Sequence, residues 1–351
     1  MTELTKKQQK IIEILLKNGE SQSSTVFEYL INLGEDVSLV TIKRALSELA
    51  SHGFLTVKGM GRSLSYIVSD IGRLFFDVDS REYCSIDPDK RYGSSQYNFN
   101  LFNSISDDIF SEEELNKIEE TTNRYKLRSK ELSATIQKKE LERFIIELSW
   151  KSSKIEGNTY TLLDTEKLIL ENKKAEGKTK EETQMILNHK EAFNFIYKNS
   201  NRFKTITKDN LEELHVILTK DLGVDKGFRK NMVGITGSIY RPLDNIYQIE
   251  DATESLISAV SKIKNPFAKA LLSLIGISYI QPFGDGNKRT SRLMANAILL
   301  AYNLPPLSYR STDEDDFRDA ILSFYELNSI VPIKKIFIEQ YRFTAENYTI
   351  I

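Results

Sequence analysis

The chain has 351 residues, 40% apolar and 28% charged, with 48 Lys/Arg against 50 Asp/Glu. That size and balance predict a globular protein of two or three domains and exclude a bulk field that would draw in nucleic acid or anionic membrane. One cysteine (Cys84) and three histidines (His52, His189, His215) leave no disulfide framework or zinc cluster, and the absence of a signal core or of an apolar run of about 20 residues predicts a cytoplasmic protein with no membrane segment.

Residues 1–70 read as a small unit. Ile11, Ile12, Leu15 and Leu16 recur at helical spacing within Leu4–Lys17, and Asn18-Gly19 stops that helix. A second helix is expected over Ser23–Asn32 and a third over Ser38–Ala50, closed by His52-Gly53. Residues 54–57 and 64–68 alternate like two strands around Gly59-Met60-Gly61-Arg62. Three helices and a hairpin resemble a winged helix-turn-helix. That resemblance implies a third helix in the DNA major groove, with Lys43 and Arg44 exposed and Arg62 of the wing on phosphate. However, eight Lys/Arg balance eight Asp/Glu in this stretch, so little charge is spare for phosphates. Protein docking and dimerisation stay open beside DNA binding.

Residues 71–110 carry Phe75, Phe76, Tyr83, Tyr92, Tyr97, Phe99 and Phe102. That is too apolar for a disordered linker, and a bridging segment packed on a domain face is expected. From Ser111 to Ile351 the pattern is almost wholly helical, so the fold class is mainly α. Ser111-Glu-Glu-Glu114 and Thr179-Lys-Glu-Glu182 are capping boxes. Helices are expected from Ser111, over Lys138–Lys154 and Thr183–Tyr197, and from Thr207. Further helices are expected over Asp251–Ile263, Pro266–Ile280, Asn287–Tyr302, Thr312–Leu327 and Pro332–Thr344. Between them, residues 233–242 are rich in Gly and β-branched residues and read as a hairpin or flap.

Residues 281–292, QPFGDGNKRTSR, concentrate the chemistry. The apolar helix before them must break at Gln281-Pro282, and a new helix starts near Asn287. Unpaired amides at a helix start form an anion pocket, which Gly284 and Gly286 let a phosphate approach closely. Asp285 can hold Mg²⁺ against phosphate oxygens. Arg289 and Arg292 share a helix face and can fork the same anion.

The strip resembles the Fic family signature, His-Pro-Phe-x-Asp/Glu-Gly-Asn-Gly-Arg-x-x-Arg. Pro282, Phe283, Asp285, Gly286, Asn287, Arg289 and Arg292 match, and Lys288 replaces the second glycine. The resemblance covers about residues 112–345 and also rests on Gly227-Phe-Arg229 and Pro305-Pro306. It implies transfer of AMP from ATP to a hydroxyl of a target protein or of the chain itself, and leaves a homodimer open. Asp285 would hold Mg²⁺. Asn287, Lys288, Arg289, Arg292 and the helix-start amides would hold the phosphates. The flap, Val233, Gly234, Ile235, Thr236 and Tyr240, would pair with target backbone. Ser152, Glu156 and Gly157 fit the family's inhibitory pattern, in which the glutamate would pair with Arg292 and block ATP; a plain helix end is the other reading of those residues.

One position departs from the signature. Gln281 stands where the family has a proton-accepting histidine, and an amide takes no proton near neutral pH. A slow adenylyltransferase, a non-enzymatic nucleotide switch and a DNA-binding regulator with a scaffolding Fic-like domain are the three functions left by the sequence. His189 and His215 lie on apolar helix faces, where packing is expected rather than service as a substitute base.

Overall fold

A computed structural model describes residues 4–130 and 132–350. The chain packs as two compact units. One comprises Met1–Ile105, Ile235–Arg241 and Asp319–Ile333, the other Ser106–Gly234, Pro242–Arg318 and Lys334–Ile351.

The first unit runs α1 (Lys6–Asn18), β1 (Ser21–Gln22), α2 (Ser23–Asn32), α3 (Leu39–Ser51), β2 (Leu55–Lys58), β3 (Ser65–Val68), α4 (Asp70–Leu74) and α5 (Ser80–Ser85). Thr5 and Gln8 form a reciprocal capping box that starts α1, and Ser38 caps α3 through the Thr41 amide. The antiparallel sheet has order β1-β3-β2, with Val57 opposite Tyr66. The apolar stripes of the three helices supply Ile11, Leu15, Val26, Ile42 and Leu46 to one core, which Phe76 and Tyr83 join from the aromatic stretch. By packing, residues 71–105 therefore group with the N-terminal helices.

The second unit is helical. It holds α6 (Glu112–Lys130), α7 (Ala134–Lys154), α8 (Leu162–Glu171), α9 (Lys180–Lys198), α10 (Lys208–Leu218), α11 (Ile246–Lys262), α12 (Pro266–Ile280) and α13 (Asn287–Ala301), with the start of α14 (Glu314–Leu327) and most of α15 (Val331–Asn347). Every residue of α12 from Phe267 onward is buried. At Gly276 an added Cβ would lie 2.4 Å from Leu256 Cδ1, so the missing side chain lets α11 close on α12. α13 runs back along α12 and is buried except at Lys288. This central pair carries residues 281–286 as its connection.

Two expectations are corrected. α8 was not anticipated: Thr161 caps it through the Asp164 amide, and Thr165 and Leu168 are its buried positions, too few for a clear stripe. The hairpin over 233–241 does not form. Among the described residues, strands are confined to β1–β3. Within 237–241 the backbone is bonded to side chains and to a coil carbonyl: Arg91 Nη1 donates to the Gly237 carbonyl, and the Arg241 amide to that of Ser95. These bonds take backbone groups that a ladder would use.

Candidate active site

A few residues shape the connection between α12 and α13. Gln281 closes α12 in the left-handed region, φ 52° and ψ 58°. The following Pro282 disfavours an α conformation at this position, and the helix ends there. The Gln281 side chain turns back, and its Nε2 donates to the Ser278 carbonyl at 2.6 Å. Arg229 is buried; its Nε donates to the Gln281 carbonyl at 2.6 Å and its amide to the Pro282 carbonyl at 2.9 Å. The sequence marked Arg229 only as a landmark. Its contacts make it the brace of the strip, a role whose partners lie some fifty residues away in sequence.

Asn287 holds the turn from within. Its Oδ1 accepts from the Phe283 amide and its Nδ2 donates to the Phe283 carbonyl, both at 2.8 Å. The side chain clamps the turn. Gly286 sits at φ 78°, and a Cβ there would meet Thr219 Cγ2 at 2.9 Å, so both conformation and space demand glycine. α13 then starts with no side-chain cap on its first amides, the condition for anion binding. Gly284 is exposed beside it.

His215 lies beneath this turn. Its ring stacks on Phe283 with centroids 3.7 Å apart, and Nε2 is 2.9 Å from the Asp285 carbonyl. A carbonyl only accepts, so Nε2 carries a hydrogen. Burial lowers its pKa to about 4, helped by Arg289 and opposed by the bond to Asp285.

The two arginines are in different states. Arg289 Nη2 reaches Asp285 Oδ2 at 3.3 Å, while its buried Nη1 has no acceptor among the described residues. Arg292 is fully buried and held by the end of α7. Its Nε donates to Ser152 Oγ and its Nη2 to the Ser152 carbonyl, both at 2.8 Å. Nη1 lies 2.7 Å from Glu156 Oε1, a charge contact without an aligned N–H···O bond. Burial works to raise the Glu156 pKa, but Arg292, Lys288 and Arg289 outweigh it and hold the carboxyl below its ordinary value. Gly157 follows at φ 89° and lets the chain turn away.

Ser152 links this clamp to His189. Its Oγ accepts from Arg292 Nε, because a guanidinium only donates, and lies 2.8 Å from His189 Nε2. Burial, with Arg289 and Arg292 beside it, holds the His189 pKa well below 6.5. Both histidines are buried.

Asp285 suits a metal of one particular kind. Its side chain is 70% exposed, its Oδ1 accepts from the Gly286 amide at 2.6 Å, and no cluster of three acidic, His or Cys side chains surrounds it among the described residues. One carboxylate fits Mg²⁺ that takes its remaining ligands from phosphate and water.

The other candidates belong to separate surroundings. Val233 and Gly234 are in the second unit, and Ile235, Thr236 and Tyr240 in the first. Tyr240 is buried and packs on Tyr325 with centroids 5.5 Å apart, so its ring is an anchor and not a docking surface. Lys43, Arg44 and Arg62 are exposed in the first unit, but Arg44 is already paired with Glu48 at 2.9 Å. No helix among the described residues is long and apolar enough to cross a membrane.

Known proteins resemble this chain. The Fic/DOC family model matches residues 205–299. Protein adenylyltransferase Fic of Nematostella vectensis is 31% identical over 212 residues, 59% of this chain and 49% of that protein. Its namesake in Culex quinquefasciatus is 32% identical over 194 residues, 54% and 38% of the two. The chain thus spans half or less of the length of these relatives. A structure of Fic-1 from C. elegans aligns with a TM-score of 0.59 at 16% identity, covering 68% of this chain and 72% of that one. A Fic domain containing signaling protein from Bacteroides thetaiotaomicron gives 0.54 at 20% identity, with 67% and 98% covered. At such identities the likeness is one of fold.

Proposed function

We propose that this chain, whose residues 205–299 form a Fic/DOC family domain, is a protein adenylyltransferase restrained by its own Glu156. The relatives named as adenylyltransferases and a strip organised around anion-binding groups support this reading. ATP is the substrate. The amides opening α13, Arg289 and a released Arg292 hold the phosphates. A hydroxyl oxygen of the target protein attacks the α-phosphorus; its new P–O bond forms as the bond to the β-phosphate oxygen breaks, and pyrophosphate leaves. Asp285 would hold Mg²⁺, which would supply charge neutralisation to the phosphates. Most of the work is positioning and electrostatics, which these residues can supply without a base. Gln281 takes no proton, so the hydroxyl proton leaves to solvent and the rate is low.

The observation that carries the restraint is the threefold hold on Arg292 by Ser152 and Glu156 beside an Arg289 donor that lacks an acceptor. ATP bearing a label on its α-phosphate tests the whole. The wild-type chain is expected to label weakly, Glu156→Gly more, and the double variant Glu156→Gly/Gln281→His most. A double variant that binds ATP yet labels neither itself nor lysate proteins refutes the transferase.

The bond from Gln281 Nε2 to the Ser278 carbonyl favours a second reading, a nucleotide-binding switch without catalysis. An ATP-dependent thermal shift without label is its signature. Residues 1–70 would be the output of either machine. Their balanced charge and the exposed Val40 and Met60 favour a protein partner over DNA, and a salt-dependent mobility shift on DNA would reverse that preference.

A further inference from the structure

Glu326, at the end of α14 in the first unit, has no exposed side-chain surface. It pairs with Arg91 at 3.1 Å, whose side chain is 4% exposed. Its Oε2 accepts from Tyr83 Oη at 2.8 Å. Its Oε1 accepts from Ser238 Oγ at 2.7 Å and from the Ile239 amide at 3.3 Å. Arg91 extends the same knot: Nη1 reaches the Gly237 carbonyl at 2.9 Å and Nη2 the Cys84 carbonyl at 2.8 Å. The Glu326 carbonyl itself accepts from the Ser94 amide at 2.7 Å. At Gly93 a Cβ would fall 2.5 Å from Tyr83 Oη and 2.7 Å from Glu326 Cβ, so the approach is too close for any other residue.

A buried carboxylate costs several kcal/mol in desolvation and is tolerated only when its lone pairs are filled. Here four donors fill them, and two of the four come from residues 238 and 239. Ser238 Oγ also accepts from the Tyr240 amide at 3.2 Å, and Tyr240 packs on Tyr325. Residues 237–241 thus have their polar groups spent inside one unit. The stretch before them differs: Met232 is 75% exposed, and Gly234 and Thr236 are exposed.

We propose that Glu326 is a positioning residue that pins residues 237–241 and thereby presents Ile235 and Thr236, of the same unit, as the stretch that takes the backbone of an extended target. Pinning one end cuts the ordering cost of pairing a strand to the other. The docking role rests on the adenylyltransferase reading; the pinning does not.

Hydrogen exchange followed by mass spectrometry on the full chain tests the pinning. Glu326→Gln removes the charge, and Ser238→Ala removes the one side-chain bond of the flap to Glu326 while sparing the Arg91–Glu326 pair. Both are expected to speed exchange over 237–241 about tenfold or more and to leave α1 and α3 unchanged. Unchanged exchange at 237–241 in Ser238→Ala overturns the proposal. So does a rise spread across the whole first unit in both variants, which marks the knot as merely structural. The docking arm uses the Glu156→Gly/Gln281→His chain as enzyme and a second copy bearing Arg289→Ala as acceptor. Adding Ser238→Ala to the enzyme is expected to raise KM for the acceptor several-fold with KM for ATP unchanged; an unchanged acceptor KM refutes docking. An acceptor that takes no label with either enzyme counts against the transferase itself, and exchange still decides the pinning.

Discussion

Arg292 Nη1 lies 2.7 Å from Glu156 Oε1, with no part of the arginine side chain exposed. A guanidinium shut away from water needs an anion beside it, and either this glutamate or a nucleotide phosphate can be that anion. Glu156→Gly should therefore favour nucleotide. A contact without an aligned bond contributes about 1.4 kcal/mol, so affinity for Mg·ATP should rise about tenfold by calorimetry. Unchanged affinity would show that Arg292 does not serve the nucleotide.

Gln281→His should separate binding from chemistry. Restoring a base at that position is worth about 10²–10⁴ in rate. Label transfer in the Glu156→Gly background should rise on that scale, while the dissociation constant for ATP moves less than about threefold. A variant whose affinity changes as much as its rate would mean that the histidine alters the turn and not the proton transfer.

Asn287→Ala should cost stability and binding together, since its amide holds the Phe283 backbone through two 2.8 Å bonds. Leaving both buried backbone groups bare costs about 2–4 kcal/mol. Thermal unfolding and ATP titration check this: loss of binding with Tm unchanged would mark Asn287 as a phosphate ligand.

Acid should weaken the second unit before its carboxylates titrate. His215 ionises at about 4 in the native chain and near 6.5 unfolded. Between those values the unfolded state holds a proton that the native state refuses, so stability falls as pH drops through that window, by about 3 kcal/mol in all. Glu156 acts lower still: its depressed pKa gives stability present above the ordinary carboxylate value and lost as pH falls through the depressed one. Denaturant titrations at pH 7, 5.5 and 4.5 should show the first loss; His189, held below 6.5 as well, adds to it, so His215→Gln should make the slope shallower without abolishing it. An equal slope in the two chains would contradict the assignment.

The strip and its helices were legible because their signals are local. An all-round apolar run, a Gln-Pro break and a Gly-Asp-Gly turn specify α12, its end and the start of α13 within about thirty residues. Arg289 and Arg292 lie on α13 and Asp285 in the turn before it. What the sequence concealed depends on distant partners. The β-branched flap reads as strand, yet its backbone bonds go to Arg91, Ser95 and Glu326. Asn287 reads as a phosphate hand, and its grip on Phe283 shows only in the folded turn. His189 gains meaning only when Ser152 is brought beneath it by a different helix.

Glu156 and Arg292 belong to one chain, so their encounter has a fixed effective concentration that dilution of the protein cannot change. A ligand that needs Arg292 sees its intrinsic affinity divided by the fraction of molecules in which the pair is apart. On the reading above, occupancy follows the ATP level alone, as a threshold written into the distance between two side chains.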